Sequence, residues 1–213
     1  FMWEYAMLDF LIENYNELDF ILASASPRRS ELLNNIGLKF KVMVSHVEED
    51  EIRPDNLNNG LINNARKKGE AVAESNKDAV VISADTIVVL DHHIMGKPVD
   101  ENDACEMLKK LSGRTHEVMT AFGLICKEHN KSYFETIKTK VKFRSLNSDE
   151  ISAYVEIGEP MDKAGAYAIQ GKGSVLVDNI EGCYFNVVGF PISRFFVVLK
   201  DFCKGLNDAQ NQI

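Results

Sequence analysis

Residues 24–29 read Ser-Ala-Ser-Pro-Arg-Arg, a combination suited to gripping an anion. Ser24 and Ser26 offer hydroxyls, the start of a helix offers unpaired backbone N–H groups, and Arg28 and Arg29 add fixed cations. The plainer reading makes Ser26 only an N-cap before Pro27 and leaves both arginines in water. Two cations in a first helical turn oppose the helix dipole, however, and cost stability unless an anion offsets them. Asp85 is the second oddity: it interrupts the apolar run AVVISADTIVVL at 79–90, where an ionised carboxylate is expensive unless paired or bound to a cation. The acidic run Glu48, Glu49, Asp50 and Glu51 reads ordinarily as a solvated loop. One of its carboxylates meeting Asp85 would make an oxygen-ligand site for Mg²⁺, which takes one or two carboxylates together with substrate phosphates and water.

Lys68, on a helix, and Lys97, in a Gly-Lys-Pro turn, are candidate phosphate ligands that matter only as members of a set. The segment GAYAIQG at 165–171 has small residues for close backbone approach and, in Gln170, an amide that both donates to and accepts from a base edge. Other residues carry less. His92 and His93 lie at a turn without further ligands near them in sequence, and His116 on an amphipathic strand reads as structural. There is no nucleophile elbow, no Walker A pattern and no dinucleotide G-x-G-x-x-G.

These residues need elements to hold them. Strand, tight turn and helix are expected over 20–37, a second strand over 40–44, an acidic loop over 46–55 and a helix over 61–75. A strand covered on both faces follows at 79–90, then a turn at 91–93 and a helix over 100–111 that ends at Ser112 and Gly113. A hairpin is expected from 116–127 and 132–143. A helix opens at Ser148, a strand is expected at 174–177, and a closing helix runs over 191–203. Alternating strands and helices with one long hairpin indicate an α/β fold with a mixed sheet.

Composition bounds the class. At 213 residues, 45% hydrophobic and 26% charged, the chain can bury a real core, as one domain or two closely packed lobes. Lys plus Arg is 24 and Asp plus Glu is 32, a formal charge of −8, which argues against general affinity for nucleic acid or an anionic membrane. An anionic ligand must therefore be met by a local basic cluster or a metal. Cys105, Cys126, Cys183 and Cys203 show neither zinc nor redox spacing, which fits reduced thiols in a cytoplasmic protein. Residues 1–19 contain acids but no Lys or Arg, unlike a secretory or transit leader. Trp3, Met7, Phe10, Leu11 and Leu18 instead suggest an amphipathic helix. A chain that opens at Phe1 points to a tag remnant or a missing native start.

Taken together, several stretches resemble the Maf family of septum-formation-protein-like nucleotide pyrophosphatases: LASASPRRSELL at 22–33, VEE at 47–49, Lys68, ADTIVV at 84–89, GKP at 96–98, LSGRTHEVMTA at 111–121 and DKAGAYAIQG at 162–171. The resemblance implies a two-lobed α/β fold like that of inosine-triphosphate pyrophosphatases, with the nucleotide in a cleft between lobes and a homodimeric assembly. The corresponding boundaries are a leader at 1–19, the nucleotide pyrophosphatase domain at 20–205 and a tail at 206–213. It also implies hydrolysis of a nucleoside triphosphate to monophosphate and pyrophosphate with Mg²⁺, Mn²⁺ or Co²⁺, in a house-cleaning or division-arrest role. By position, Asp85 resembles the family's proton acceptor and metal-associated carboxylate and Glu49 its partner, while Ser24, Arg29, Lys68 and Lys97 match phosphate-binding positions. Arg28, Thr86 and Gln170 match the triplet that separates the dTTP and UTP branch from the 7-methyl-GTP branch, and here the triplet is of the pyrimidine kind. Gly69 departs from the family's usual Ala after the helix lysine, and the leader is an addition. The rival expectations are a methylated purine substrate and a non-catalytic nucleotide-binding regulator of septum formation.

Overall fold

The β-branched run at 80–90 forms a strand buried along nearly its whole length in a computed structural model, which describes residues 6–12 and 15–210. In chain order the elements are α1 (Ala6–Leu11), β1 (Phe20–Leu22), α2 (Pro27–Asn35), β2 (Lys41–Val42), α3 (Leu57–Ala73), β3 (Val80–Leu90), β4 (His93–Met95), α4 (Glu101–Leu111), β5 (Thr115–Cys126), β6 (Lys131–Phe143), α5 (Ser148–Glu156), β7 (Val177–Glu181), α6 (Tyr184–Val188) and α7 (Ile192–Gln210). The fold is α/β, with a mixed seven-stranded sheet ordered β2-β1-β3-β5-β6-β7 and β4 paired to β3. β1 runs parallel to both β2 and β3, with Ile21 opposite Lys41 and Val81, whereas β4 and β7 pair antiparallel. Among the described residues no helix is long and apolar enough to cross a membrane.

The chain divides into two compact units, 1–85 with 121–136 and 190–213, and 86–120 with 137–189. The first is built on β1 and its neighbours. On α3, the buried Leu61, Asn64, Ala65, Gly69, Val72 and Ala73 recur at helical spacing, so one stripe faces the sheet. Val72 and Ala73 pack with Ile21, Ala23, Val81 and Ile125, and Phe134 lies against that cluster. Gly123 is what admits the Phe134 ring, because a Cβ there would sit 2.1 Å from it. The Arg66 guanidinium covers the ring, 4.1 Å from its centroid.

In the second unit both longer helices start at side-chain caps, the later one at Asn147 rather than at Ser148. The Asp100 side chain accepts from Asp103 N–H ahead of α4, and Asn147 and Glu150 form a reciprocal capping box ahead of α5. Its buried centre is aromatic. His116 and Tyr167 each meet Phe143 edge-on, and His116 Nε2 shares a 2.8 Å hydrogen bond with Tyr167 Oη.

Several expectations change, among them the helix placed at 61–75, which runs over Leu57–Ala73. The strand placed at 174–177 is a 3-10 turn over Gly171–Leu176, because Gly171 adopts φ +67° and Ser174 Oγ donates to Gly171 O, curling the chain. Extended pairing begins only at β7. The turn at 91–93 is tighter than expected. Asp91 and His92 take positive φ, the geometry of a two-residue hairpin loop, so His93 already belongs to β4. The strand over 40–44 shortens to Lys41–Val42. α6 escaped notice, and α7 extends beyond 203 to Gln210. Of the leader, Ala6–Leu11 is helical with Leu8 buried, while Phe10 is exposed; Trp3 and the Met7 side chain lie outside the described residues, as do residues 211–213.

Candidate active site

Six of the singled-out residues, Ser24, Arg28, Arg29, Glu49, Lys68 and Asp85, belong to the first unit. Pro27 starts α2, and the Ser26 side chain accepts from Arg29 N–H as its N-cap. Arg28 is half-buried. Arg29 is not solvated: it is 9% exposed, and its Nη1 donates to Ser24 Oγ at 3.0 Å and to the Ala84 carbonyl at 2.9 Å. Burial lowers the Arg29 pKa, and the charge of Arg28 adds to this, while the charges of Asp85 and Glu49 oppose it. A guanidinium remains ionised in such a place, so its positive charge is held by the fold. Ser24 Oγ also accepts from Ser26 N–H. With two hydrogen bonds accepted, the Ser24 hydroxyl keeps one proton to donate.

Asp85 is 7% exposed within β3. Its partner is Lys68, whose Nζ lies 2.9 Å from Asp85 Oδ1 and 2.5 Å from Glu49 Oε1. Lys68 and Asp85 side chains are 13% and 10% exposed, against 55% for Glu49. One ammonium thus joins a strand carboxylate to a loop carboxylate, which answers the desolvation cost that Asp85 alone would carry.

The loop reaches that position through Asn64, a residue that had not been singled out. Asn64 is 2% exposed; its amide donates to Asp50 O at 3.0 Å and accepts from Asp50 N–H at 2.8 Å. It grips the backbone next to Glu49 as a neighbouring strand would. Asn64 and Lys68 are four residues apart on α3, hence on one face, and the signal was a polar residue on a buried helical stripe one turn before a candidate lysine. Lys67 Nζ adds a 2.5 Å contact to Asp50 Oδ1 at the surface.

Thr86, Lys97 and Gln170 belong to the second unit. Thr86 is half-buried, and its hydroxyl bonds that of Thr120 at 2.9 Å. Thr120 in turn donates to Asn186 O, and Asn186 Nδ2 donates to Val118 O and Thr139 Oγ1. Lys97 is exposed just after β4, and its turn is tied to the glycine-bearing segment by Gly165 N–H donating to Gly96 O at 2.9 Å. Gly165 takes φ +72° and presses on Val88, a close approach that a side chain would obstruct. Gln170 is half-buried.

Asp85 and Glu49 form a hard oxygen-donor pair already arranged about a cation, the ligand type that Mg²⁺ or Mn²⁺ accepts. No group of three or more His, Cys, Asp or Glu able to hold a metal occurs among the described residues. A divalent ion held by these two would complete its shell with substrate oxygens.

The first unit thus gathers a buried guanidinium, a nearly buried ammonium, a hydroxyl and two carboxylates on an α/β mixed-sheet scaffold. The match to known proteins is specific: the sequence model of the Maf-like protein family covers residues 19–202, and the chain belongs to that family. A dTTP/UTP pyrophosphatase of Bacillus cereus is 47% identical over 190 residues, 89% of this chain and 93% of that protein. One of Acetivibrio thermocellus is 52% identical over 191 residues, 85% of this chain and 94% of that protein. Among solved structures, the Staphylococcus aureus Ham1 protein aligns with a TM-score of 0.46 at 15% identity, covering 88% of this chain and 98% of that one.

Proposed function

We propose that this chain hydrolyses dTTP and UTP to the monophosphate and pyrophosphate. The observation that carries the reading is the Lys68 ammonium shared by Asp85 and Glu49 in the same unit as the buried Arg29. Relatives at about half identity, named dTTP/UTP pyrophosphatase, support the substrate. Arg29, Lys68 and Lys97 answer phosphate charge, and the Ser24 proton bonds a phosphate oxygen. Asp85 takes a proton from the water that attacks the α-phosphorus; the phosphoanhydride bond to the β-phosphate breaks, and pyrophosphate leaves with the bridging oxygen. A divalent ion at Asp85 and Glu49, when bound, supplies Lewis-acid neutralisation of the charge that develops on phosphate. Arg28, Thr86 and Gln170 read the base. A homodimer carries over from the family resemblance, and a cytoplasmic location from the cysteine spacing.

Pyrophosphate release from dTTP, UTP, CTP, GTP and 7-methyl-GTP with Mg²⁺ or Mn²⁺ tests this. The wild type turns over dTTP and UTP best, and Asp85→Asn loses about 10³-fold in kcat. Near-wild-type turnover by Asp85→Asn would remove the carboxylate from the chemistry, and preference for a purine would overturn the substrate.

A further inference from the structure

The loop that carries Gln170 is gripped on both limbs by one pair of side chains. Tyr154, on α5, accepts the Ala168 N–H at its Oη at 3.1 Å and donates to Glu159 Oε1 at 3.0 Å. Glu159 then accepts from the other limb, from Gly173 N–H at Oε1 (3.0 Å) and from Lys172 N–H at Oε2 (3.3 Å). The Lys163 ammonium donates to the Glu159 carbonyl at 2.7 Å and holds its backbone. The limbs nearly touch: a Cβ on Gly173 would stand 2.2 Å from Ala168 O and 2.6 Å from Tyr154 Oη. Gly171 turns the chain with φ +67°, and Ile169, 8% exposed, is anchored in the interior. Two polar side chains remain on the loop, the half-buried Gln170 and the exposed Lys172, and of these Gln170 is the neutral amide.

Nothing in the proposed chemistry uses Tyr154 or Glu159. The carboxylate is committed to two backbone N–H groups and a phenol, an arrangement strong enough to fix a loop because its acceptor is charged. Burial raises the Tyr154 pKa, and the Glu159 charge adds to it, so the phenol stays protonated and continues to donate. A fixed loop matters for an amide that reads a base. Uracil and thymine present an acceptor at O4 beside a donor at N3, and cytosine presents the reverse. An amide answers one or the other according to which of its two ends faces which atom.

We propose that Tyr154 and Glu159 are positioning residues for base selection, closing the 168–173 loop so that Gln170 meets the uracil or thymine edge in one orientation. The inference rests on the reading that Gln170 contacts the base. The experiment compares kcat and KM for dTTP, UTP, CTP and GTP in wild type, Tyr154→Phe, Glu159→Gln, Gln170→Ala and the Tyr154→Phe/Gln170→Ala double variant. Tyr154→Phe removes one oxygen and Glu159→Gln keeps the shape, so two mild changes probe the clamp independently. Each is expected to raise KM for dTTP and UTP about tenfold, leave kcat within about threefold, and lower the UTP-over-CTP ratio of kcat/KM about tenfold. Gln170→Ala lowers that ratio at least as far, and Tyr154→Phe adds nothing on top of it. A lowered ratio in Gln170→Ala with wild-type ratios in both clamp variants overturns the clamp and leaves the base reading standing. An unchanged ratio in Gln170→Ala overturns the base reading and the clamp with it. An equal loss of kcat for all four nucleotides in the clamp variants, at unchanged ratio, makes the pair structural only.

Discussion

The two units hold their candidate site residues with different materials. In the first, charge dominates: Arg29 and Asp85 are buried, Lys68 is nearly so, and each is tied to a group of the same unit. In the second, the residues proposed to read the base are a hydroxyl on a hydroxyl, Thr86 with Thr120, and an amide on a loop closed by hydrogen bonds. The triphosphate is the same in every nucleoside triphosphate, so its site need supply only charge, and charge is strongest where water is excluded. The base is what differs. Neutral donors and acceptors discriminate because a mismatched edge leaves buried polar groups unpaired. On the proposed reading, charge answers the phosphates, and the neutral Thr86 and Gln170, joined by Arg28 of the first unit, choose the base.

Removing Lys68 is the strongest test of that division. In Lys68→Met, Asp85 and Glu49 lose the ammonium they share, and one proposed phosphate ligand disappears. The expected loss in kcat/KM is about 10³-fold, comparable with loss of a preorganised charge-stabilising donor. It should be equal for UTP and CTP, read by the same pyrophosphate-release assay. A UTP-over-CTP ratio that fell as steeply as the rate would break the division.

The neutral character of the second unit extends to its core, where acid should find it out. His116 is 2% exposed, its Nδ1 has no hydrogen-bond partner among the described residues, and burial lowers its pKa to about 4 from 6.5. Between those values the unfolded chain binds a proton that the folded one refuses, so stability rises with pH across the window. The contribution is fully present above about pH 6.5 and falls away as pH drops towards 4, by about 3 kcal/mol in all. Urea midpoints measured from pH 7 to 4.5 should show this slope, and His116→Gln should flatten it. A slope that survives in His116→Gln would assign the acid sensitivity to the ion pairs of the first unit instead.

The legibility of the chain follows the same line. SASPRR and Asp85 announced themselves because charge next to a helix start, or inside an apolar strand, is locally anomalous. β3, α4 and the strands β5 and β6 were readable from periodicity and caps. Asn64 was not, because an Asn within a helix looks like surface until one knows that a loop fourteen residues earlier needs its amide. Tyr154 and Glu159 were hidden for the same reason, their partners lying 14 residues on. β4 and α6, of three and five residues, are too short to show a period. The misplaced strand at 174–177 arose from apolar residues whose conformation Gly171 and Gly173 decide.

Asn64→Ala probes a neutral device inside the charged unit. It leaves the Asp50 N–H and C=O without the partner that clasps both, at a cost of about 2 kcal/mol in unfolding free energy. Glu49 is next in the chain, so kcat should fall about tenfold through its misplacement. Wild-type kcat in a destabilised Asn64→Ala would mean that the loop carboxylate is placed by Lys68 alone.

The smallest effect concerns the packing that brings Lys68 to the strand. Gly69 follows it on α3, and a Cβ there would lie 2.8 Å from both Ile125 Cδ1 and Ser83 Oγ and 3.1 Å from Ser83 Cβ. Two terms compete in Gly69→Ala. Helix propensity favours Ala by about 1 kcal/mol, whereas overpacking a close contact costs about 1–3 kcal/mol. The Ile125 methyl is the movable end of a side chain, but Ser83 Cβ is fixed to the strand, so the clash should win narrowly. The expected outcome is a loss of about 1 kcal/mol, a fall of roughly 3 °C in Tm for a chain of this size, with kcat lowered about twofold as Lys68 shifts away from Asp85. Ile125→Val, which shortens the obstructing chain, should rescue the stability of Gly69→Ala by more than its own effect predicts. A Gly69→Ala more stable than wild type, with unchanged kcat, would show that the Lys68 bridge tolerates a wider spacing between α3 and β3, and that its position is set by the ion pairs themselves.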